Sequence, residues 1–137
     1  MRYRSNVTYL EGKKFDSNFE ACVYYHLLDH FPESEYRIDQ QYRIPLCPSN
    51  SYVKPNRSFV WRCDFAVIKK GETVPSLFVE AKGQVDRGFP LTLALLEPWV
   101  IEKLIIVCSD EKATTKLNRL SGQYPIIKEL DDLIDFL

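Results

Sequence analysis

The stretch CDFAVIKKGETVPSLFVEAKG, Cys63 to Gly83, decides how this chain folds. Two runs rich in aromatic and β-branched residues, SFVWRCDFAVI and PSLFVEA, flank KKGET, which reads as a turn. Pro75 suits the start of a strand and not its middle. The pattern predicts a β-hairpin. Side chains two apart share a face, so Phe78, Glu80 and Lys82 point one way and Leu77, Val79 and Ala81 the other. On the first strand Val60, Arg62, Asp64 and Ala66 are expected on one face, opposite Trp61, Cys63, Phe65 and Val67. In a hairpin centred near Glu72, residues equally distant from Glu72 lie opposite each other, and Asp64 then faces Glu80.

Two carboxylates placed roughly 5 Å apart across a sheet destabilise it. Something must offset that repulsion, and a hard divalent cation does so, because Mg²⁺ takes carboxylate oxygens and keeps several waters for phosphate ligands. The alternative is structural: Glu80 pairs with Lys82, and Asp64 with Arg62 or another basic residue.

Toward the N-terminus, SNFEACVYYHLLDHF sets Phe19, Val23, Leu27 and Phe31 along one helical face, beginning at Ser17 and ending before Pro32. Ser17 and Glu20 form an S-x-x-E capping box, with Glu20 bonding back to the Ser17 amide. His26 and His30 lie one turn apart, a zinc-compatible spacing, but with no third ligand nearby they read as a solvated or packed pair. EYRIDQQYRI reads as a strand. The prolines of PLCPSNSYVKPN, Pro45 to Asn56, forbid regular structure there.

Toward the C-terminus, PLTLALLEPW predicts a helix stopped near Pro98, EKLIIVCS a buried strand, DEKATTKLNRLSG a helix closed by Gly122, and YPIIK a short strand before a last helix. The early strands meander and the later ones alternate with helices. That order predicts a single α/β domain over residues 1–137, with a mixed sheet flanked by helices.

A chain of 137 residues with 45% hydrophobic content suits one core. The N-terminus lacks the apolar segment of a signal peptide, and no run approaches the roughly 18 apolar residues of a membrane span, so a soluble, intracellular (cytoplasmic) protein is expected. Cys22, Cys47, Cys63 and Cys108 are scattered without a C-x-x-C pair and read as reduced thiols in or near the core. The net charge of −1 leaves nucleic-acid binding to local patches. Residues 37–70 carry one such patch, in which Lys54, Arg57, Arg62, Lys69 and Lys70 are candidate DNA contacts. The long Pro45–Asn56 loop is a candidate of the same kind. Trp61, Tyr42 and Tyr52 lie near it and could stack on bases, although aromatic residues in strands belong more often to the core.

CDF at Cys63–Phe65 followed by VEAKG at Val79–Gly83 resembles the motif of the PD-(D/E)XK nucleases, and FDSNFEA, Phe15 to Ala21, resembles the helix signature F-D-S-x-x-E-A of small phage-encoded members. Cys63 stands where the name-giving proline would be. The resemblance implies a restriction-endonuclease-like α-β-β-β-α-β core and a Mg²⁺- or Mn²⁺-dependent endodeoxyribonuclease. It implies that Asp64, Glu80 and the backbone carbonyl of Ala81 hold the metal, and that Lys82 holds or polarises the attacking water. Glu20 joins the site as a ligand of a second metal or through water, and Gln84 lies beside it. DNA is the expected partner. A homodimer is expected because one subunit carries one site and a duplex has two strands. The role stays open among junction resolution or recombination, a homing- or restriction-type cutter, and a transposition cleavage subunit. A non-catalytic DNA-binding or assembly module on the same fold is the alternative from another class.

Overall fold

The computed structural model describes residues 7–46 and 59–137. Two short strands, β1 (Thr8–Leu10) and β2 (Lys13–Phe15), form a hairpin ahead of α1 (Asn18–His30). Glu11 and Gly12 turn the chain there, both with positive φ, 51° and 77°. Such a two-residue turn matches the twist of its flanking strands. This hairpin was not among the elements expected from the sequence.

The main sheet holds β3 (Tyr36–Pro45), β4 (Val60–Lys69), β5 (Leu77–Lys82), β6 (Leu104–Cys108) and β7 (Ile126–Glu129), in that spatial order. β3, β4 and β5 pair antiparallel, and β5, β6 and β7 pair parallel. Parallel neighbours need crossovers, supplied by α2 (Phe89–Ala94) with α3 (Pro98–Ile101), and by α4 (Glu111–Leu120). The last helix is α5 (Leu130–Phe136). The chain is therefore α/β, with a mixed five-stranded sheet flanked by helices.

Each sheet face builds its own core. Phe19, Val23 and Leu27 of α1 and Leu133 of α5 pack with Phe65, Val79, Ile105 and Val107. Phe89, Leu96, Val100, Ala113 and Leu117 pack on the other face with Ala66, Phe78, Leu104 and Ile106. The alternation of β6 residues between the two clusters is the period of a strand covered on both sides.

Two helix boundaries differ from expectation. Pro98 opens α3 at its first position, where its missing N–H costs nothing, instead of merely stopping the helix before it. Helix α4 ends on Ser121 in an extended conformation whose amide bonds Leu117, so Gly122 lies beyond the cap. Asp110 caps its start by accepting from the Ala113 amide. No helix among the described residues is long and apolar enough to cross a membrane. The described cysteines, Cys22, Cys63 and Cys108, are free thiols.

Candidate active site

The β4–β5 hairpin has the register expected of a turn centred near Glu72: Phe65 pairs with Val79, Ala66 with Phe78 and Val67 with Leu77. The ladder stops at Phe65. One position on, Asp64 and Glu80 exchange side chains for backbone: the Asp64 amide donates to Glu80 Oε1 at 2.9 Å, and the Ala81 amide donates to Asp64 Oδ2 at 2.9 Å. Each carboxylate thus replaces a lost strand partner. The alternative pairing of Asp64 with Arg62 does not form, whereas Lys82 Nζ does lie 3.2 Å from Glu80 Oε2.

The strands splay because β3 and β4 turn over together. Gln40 pairs with Phe65 and Tyr42 with Cys63, so the register is unbroken, but the pairing skips Gln41 and Asp64. Gln41 has φ 53°, a left-handed conformation that is uncommon outside glycine. On either side of this point the faces exchange. Phe65 and Ile38 pack on the α1 core, yet Cys63 and Tyr42, each an even number of residues away, pack on the opposite core. The expected face of Trp61, Cys63, Phe65 and Val67 is therefore split, with Trp61 and Cys63 on one side and Phe65 on the other. Simple alternation fails because one left-handed residue inverts the pleat.

This twist brings the first helix into the site. Gln41 Nε2 donates to Asp64 Oδ1 at 3.2 Å and to Glu20 Oε1 at 3.4 Å. Glu20 Oε2 accepts from the Asp16 amide at 2.7 Å, and the Glu20 amide donates to Ser17 Oγ at 3.0 Å. The capping box is thus real but shifted, since the carboxylate reaches Asp16 and not the Ser17 amide. Gln41 is the site residue that sequence reasoning missed. No propensity marks a glutamine for a left-handed position.

Glu20 and Glu80 are 3% and 4% exposed. Burial, and then the charge of Asp64, push Glu20 up to about 7. The same two causes raise Glu80 well above the carboxylate range, against the pull of Lys82. Asp64 is raised by burial, opposed by the Ala81 amide. Lys82 lies with its ammonium 4.2 Å from the centre of the Phe89 ring, so an aromatic face holds it beside Glu80. The thiol of Cys63 is raised by burial and by Glu80 and Asp64, which keeps it neutral and unreactive.

The donors available to a cation are carboxylate oxygens with the Ala81 carbonyl. Phe78 N–H bonds the Lys103 carbonyl and Ser109 N–H bonds the Lys82 carbonyl, so even-numbered residues of β5 face β6 and both backbone groups of Ala81 face the open end at Asp64. An all-oxygen set suits Mg²⁺ or Mn²⁺. Among the described residues, no three His, Cys, Asp or Glu side chains are gathered as a metal cage. An ion held by so few protein donors would take most of its ligands from water.

The remaining candidates are dispersed. Gln84 is exposed, past the end of β5, and lines a small cleft with Lys112 and Lys116. Lys69 and Lys70 are at the far end of β4, roughly 17 Å from Asp64 by strand rise, where they line a cleft of about 440 Å³ with Tyr24, Tyr36 and Arg37. Glu33 and Glu72 line it as well, and it lies away from the carboxylates of Asp64 and Glu80. Arg62 is exposed, two residues from Asp64. Lys54, Arg57, Tyr52, Cys47 and most of the Pro45–Asn56 loop lie outside the described residues. Tyr42 and Trp61 belong to the core, against Phe78 and Phe89 respectively. His30 is exposed, its ring edge-on to Phe31.

No protein-family model, curated protein or solved structure matches this chain.

Proposed function

We propose that this chain is a divalent-cation-dependent endodeoxyribonuclease of the PD-(D/E)XK type, built on a restriction-endonuclease-like core. The observation that carries the reading is the interlock of Asp64 and Glu80 at the open end of the hairpin, with Lys82 on the same strand and Glu20 delivered by α1. Structural economy does not account for three acids there, since burial disfavours the ionised form of each and the charge of Asp64 further disfavours those of Glu20 and Glu80. Asp64, Glu80 and the Ala81 carbonyl would hold Mg²⁺ or Mn²⁺. The cation supplies neutralisation of phosphate charge and acidification of water. Lys82, fixed between Glu80 and the Phe89 ring, offers its ammonium to charge that develops on the phosphate. Gln41 and the α1 cap orient Glu20 toward Asp64. One site per chain and two strands per duplex favour a homodimer, and the helix signature favours a junction-resolving or recombination role over a homing, restriction or transposition one.

One observation favours a second reading, a non-catalytic DNA-binding module. Every carboxylate oxygen of Glu20, Asp64 and Glu80 already has a partner within the chain, so the cluster is satisfied without a cation. The two readings part on cleavage of linear duplex, supercoiled plasmid and a four-way junction, with Mg²⁺ or EDTA, by wild type and Lys82→Ala. The nuclease reading requires cutting in Mg²⁺ that EDTA abolishes and that Lys82→Ala slows by roughly 10²-fold or more. Equal cutting by the variant sinks the assigned site, and binding without cutting in either protein supports the module.

A further inference from the structure

Beyond the inverted pleat, Arg43 and Arg62 stand directly opposite each other on β3 and β4. Both are exposed, and neither has a salt bridge among the described residues. Like charges directly opposite in a sheet destabilise it. Their neighbours Tyr42, Ile44 and Cys63 pack on the α2–α4 core, so strand alternation turns both arginines to the other face, the α1 side. On that side Gln41 and Asp64 meet Glu20. The arginine pair is thus two residues, roughly 7 Å, along the same strands from the carboxylate cluster.

We infer that Arg43 and Arg62 together clamp one phosphate of a DNA strand, next to the phosphate presented to Asp64 and Glu80. Two guanidiniums on adjacent strands suit a single phosphate oxygen set, since planar forks bind phosphate in bidentate fashion. An anion between them also removes the repulsion that the free protein carries. The clamp supplies what an acidic cluster on a chain of net charge −1 lacks, a local cation pair that draws the backbone in. Its placement rests on the nuclease reading; its binding does not.

The test is the salt dependence of binding to a fluorescent duplex, by anisotropy in EDTA, for wild type, Arg43→Gln, Arg62→Gln, the double variant and Lys112→Gln, an exposed control on α4 across the sheet from α1. Wild type binds, and the double variant flattens the log–log slope by about 0.9, the value of one phosphate. Each single variant accounts for part of that loss, and Lys112→Gln keeps the wild-type slope. Without DNA, Arg43→Gln raises Tm by about 1 °C or more, as relief of a like-charge pair requires. Failure of wild type to bind, an unchanged slope in the double variant, additive losses worth two phosphates, or an equal loss in Lys112→Gln would each overturn the clamp. If wild type never cuts DNA but the double variant loses slope as described, the nuclease reading falls and the clamp stands.

Discussion

The two ends of the β4–β5 pairing are made of the same strands and are held by opposite physics. At the turn end, Phe65, Ala66 and Val67 pair with Val79, Phe78 and Leu77, and each sheet face is sealed by apolar side chains. At the open end, Asp64 and Glu80 hold the strands through carboxylate-to-amide bonds, and their charges oppose one another. The first end contributes stability and no chemistry. The second sacrifices regular pairing to aim three acids and a lysine at one place, and that contrast separates the residues that fold this protein from those that would make it act.

The largest expected effect breaks the contrast from the turn end. Phe65→Ala empties a fully buried ring site between α1 and the sheet and should cost about 3–5 kcal/mol, enough to unfold much of a marginal domain, as read by urea denaturation. Next comes Lys82→Ala, expected to slow DNA cleavage by roughly 10²–10³-fold, as removal of a charge-stabilising donor does. Its Tm should fall far less than that of Phe65→Ala even though Glu80 loses its ion pair, and no variant of the sealed end can combine a folded chain with such a loss of cleavage.

A smaller effect sharpens the comparison through pH. Glu20 is raised from the ordinary glutamate value to about 7, so the folded state holds its proton more tightly than the unfolded chain. Its stabilising contribution is complete below the unfolded value near 4.5 and is lost as pH rises through about 7. Asp64 and Glu80, raised in the same direction, add to that fall. In metal-free buffer the protein should lose stability between pH 4.5 and 7, and Glu20→Gln should flatten the loss in a series of urea midpoints. The smallest effect is that of Ser17→Ala, which removes the α1 cap at a cost of about 1 kcal/mol and leaves cleavage in place.

Much of this was legible in the chain. Turn residues and strand composition placed the hairpin and its register, and period-two alternation correctly put Glu80 and Lys82 together. The same rule failed at Cys63 and Phe65, because the left-handed Gln41 carries no sequence signal and its effect on β4 passes through pairing. Glu20 was found through its motif, while its true partner, the Asp16 amide, depends on the angle at which β2 feeds α1. The β1–β2 hairpin announced itself only through the Glu11–Gly12 turn. Arg43 was visible as a charge, but not as the partner of Arg62, because cross-strand neighbours follow from register alone.

The most direct measurement is the melting temperature at pH 7.5 over a MnCl₂ titration, for wild type and for Asp64→Asn combined with Glu80→Gln. The account predicts a higher metal-free Tm for the double variant, whose repulsion is gone, and a concentration-dependent rise in wild type alone, worth about 2.7 kcal/mol at a hundredfold excess over Kd. Equal shifts in the two proteins, or a wild-type Tm indifferent to Mn²⁺, would contradict the claim that the open end of the hairpin is a cation site.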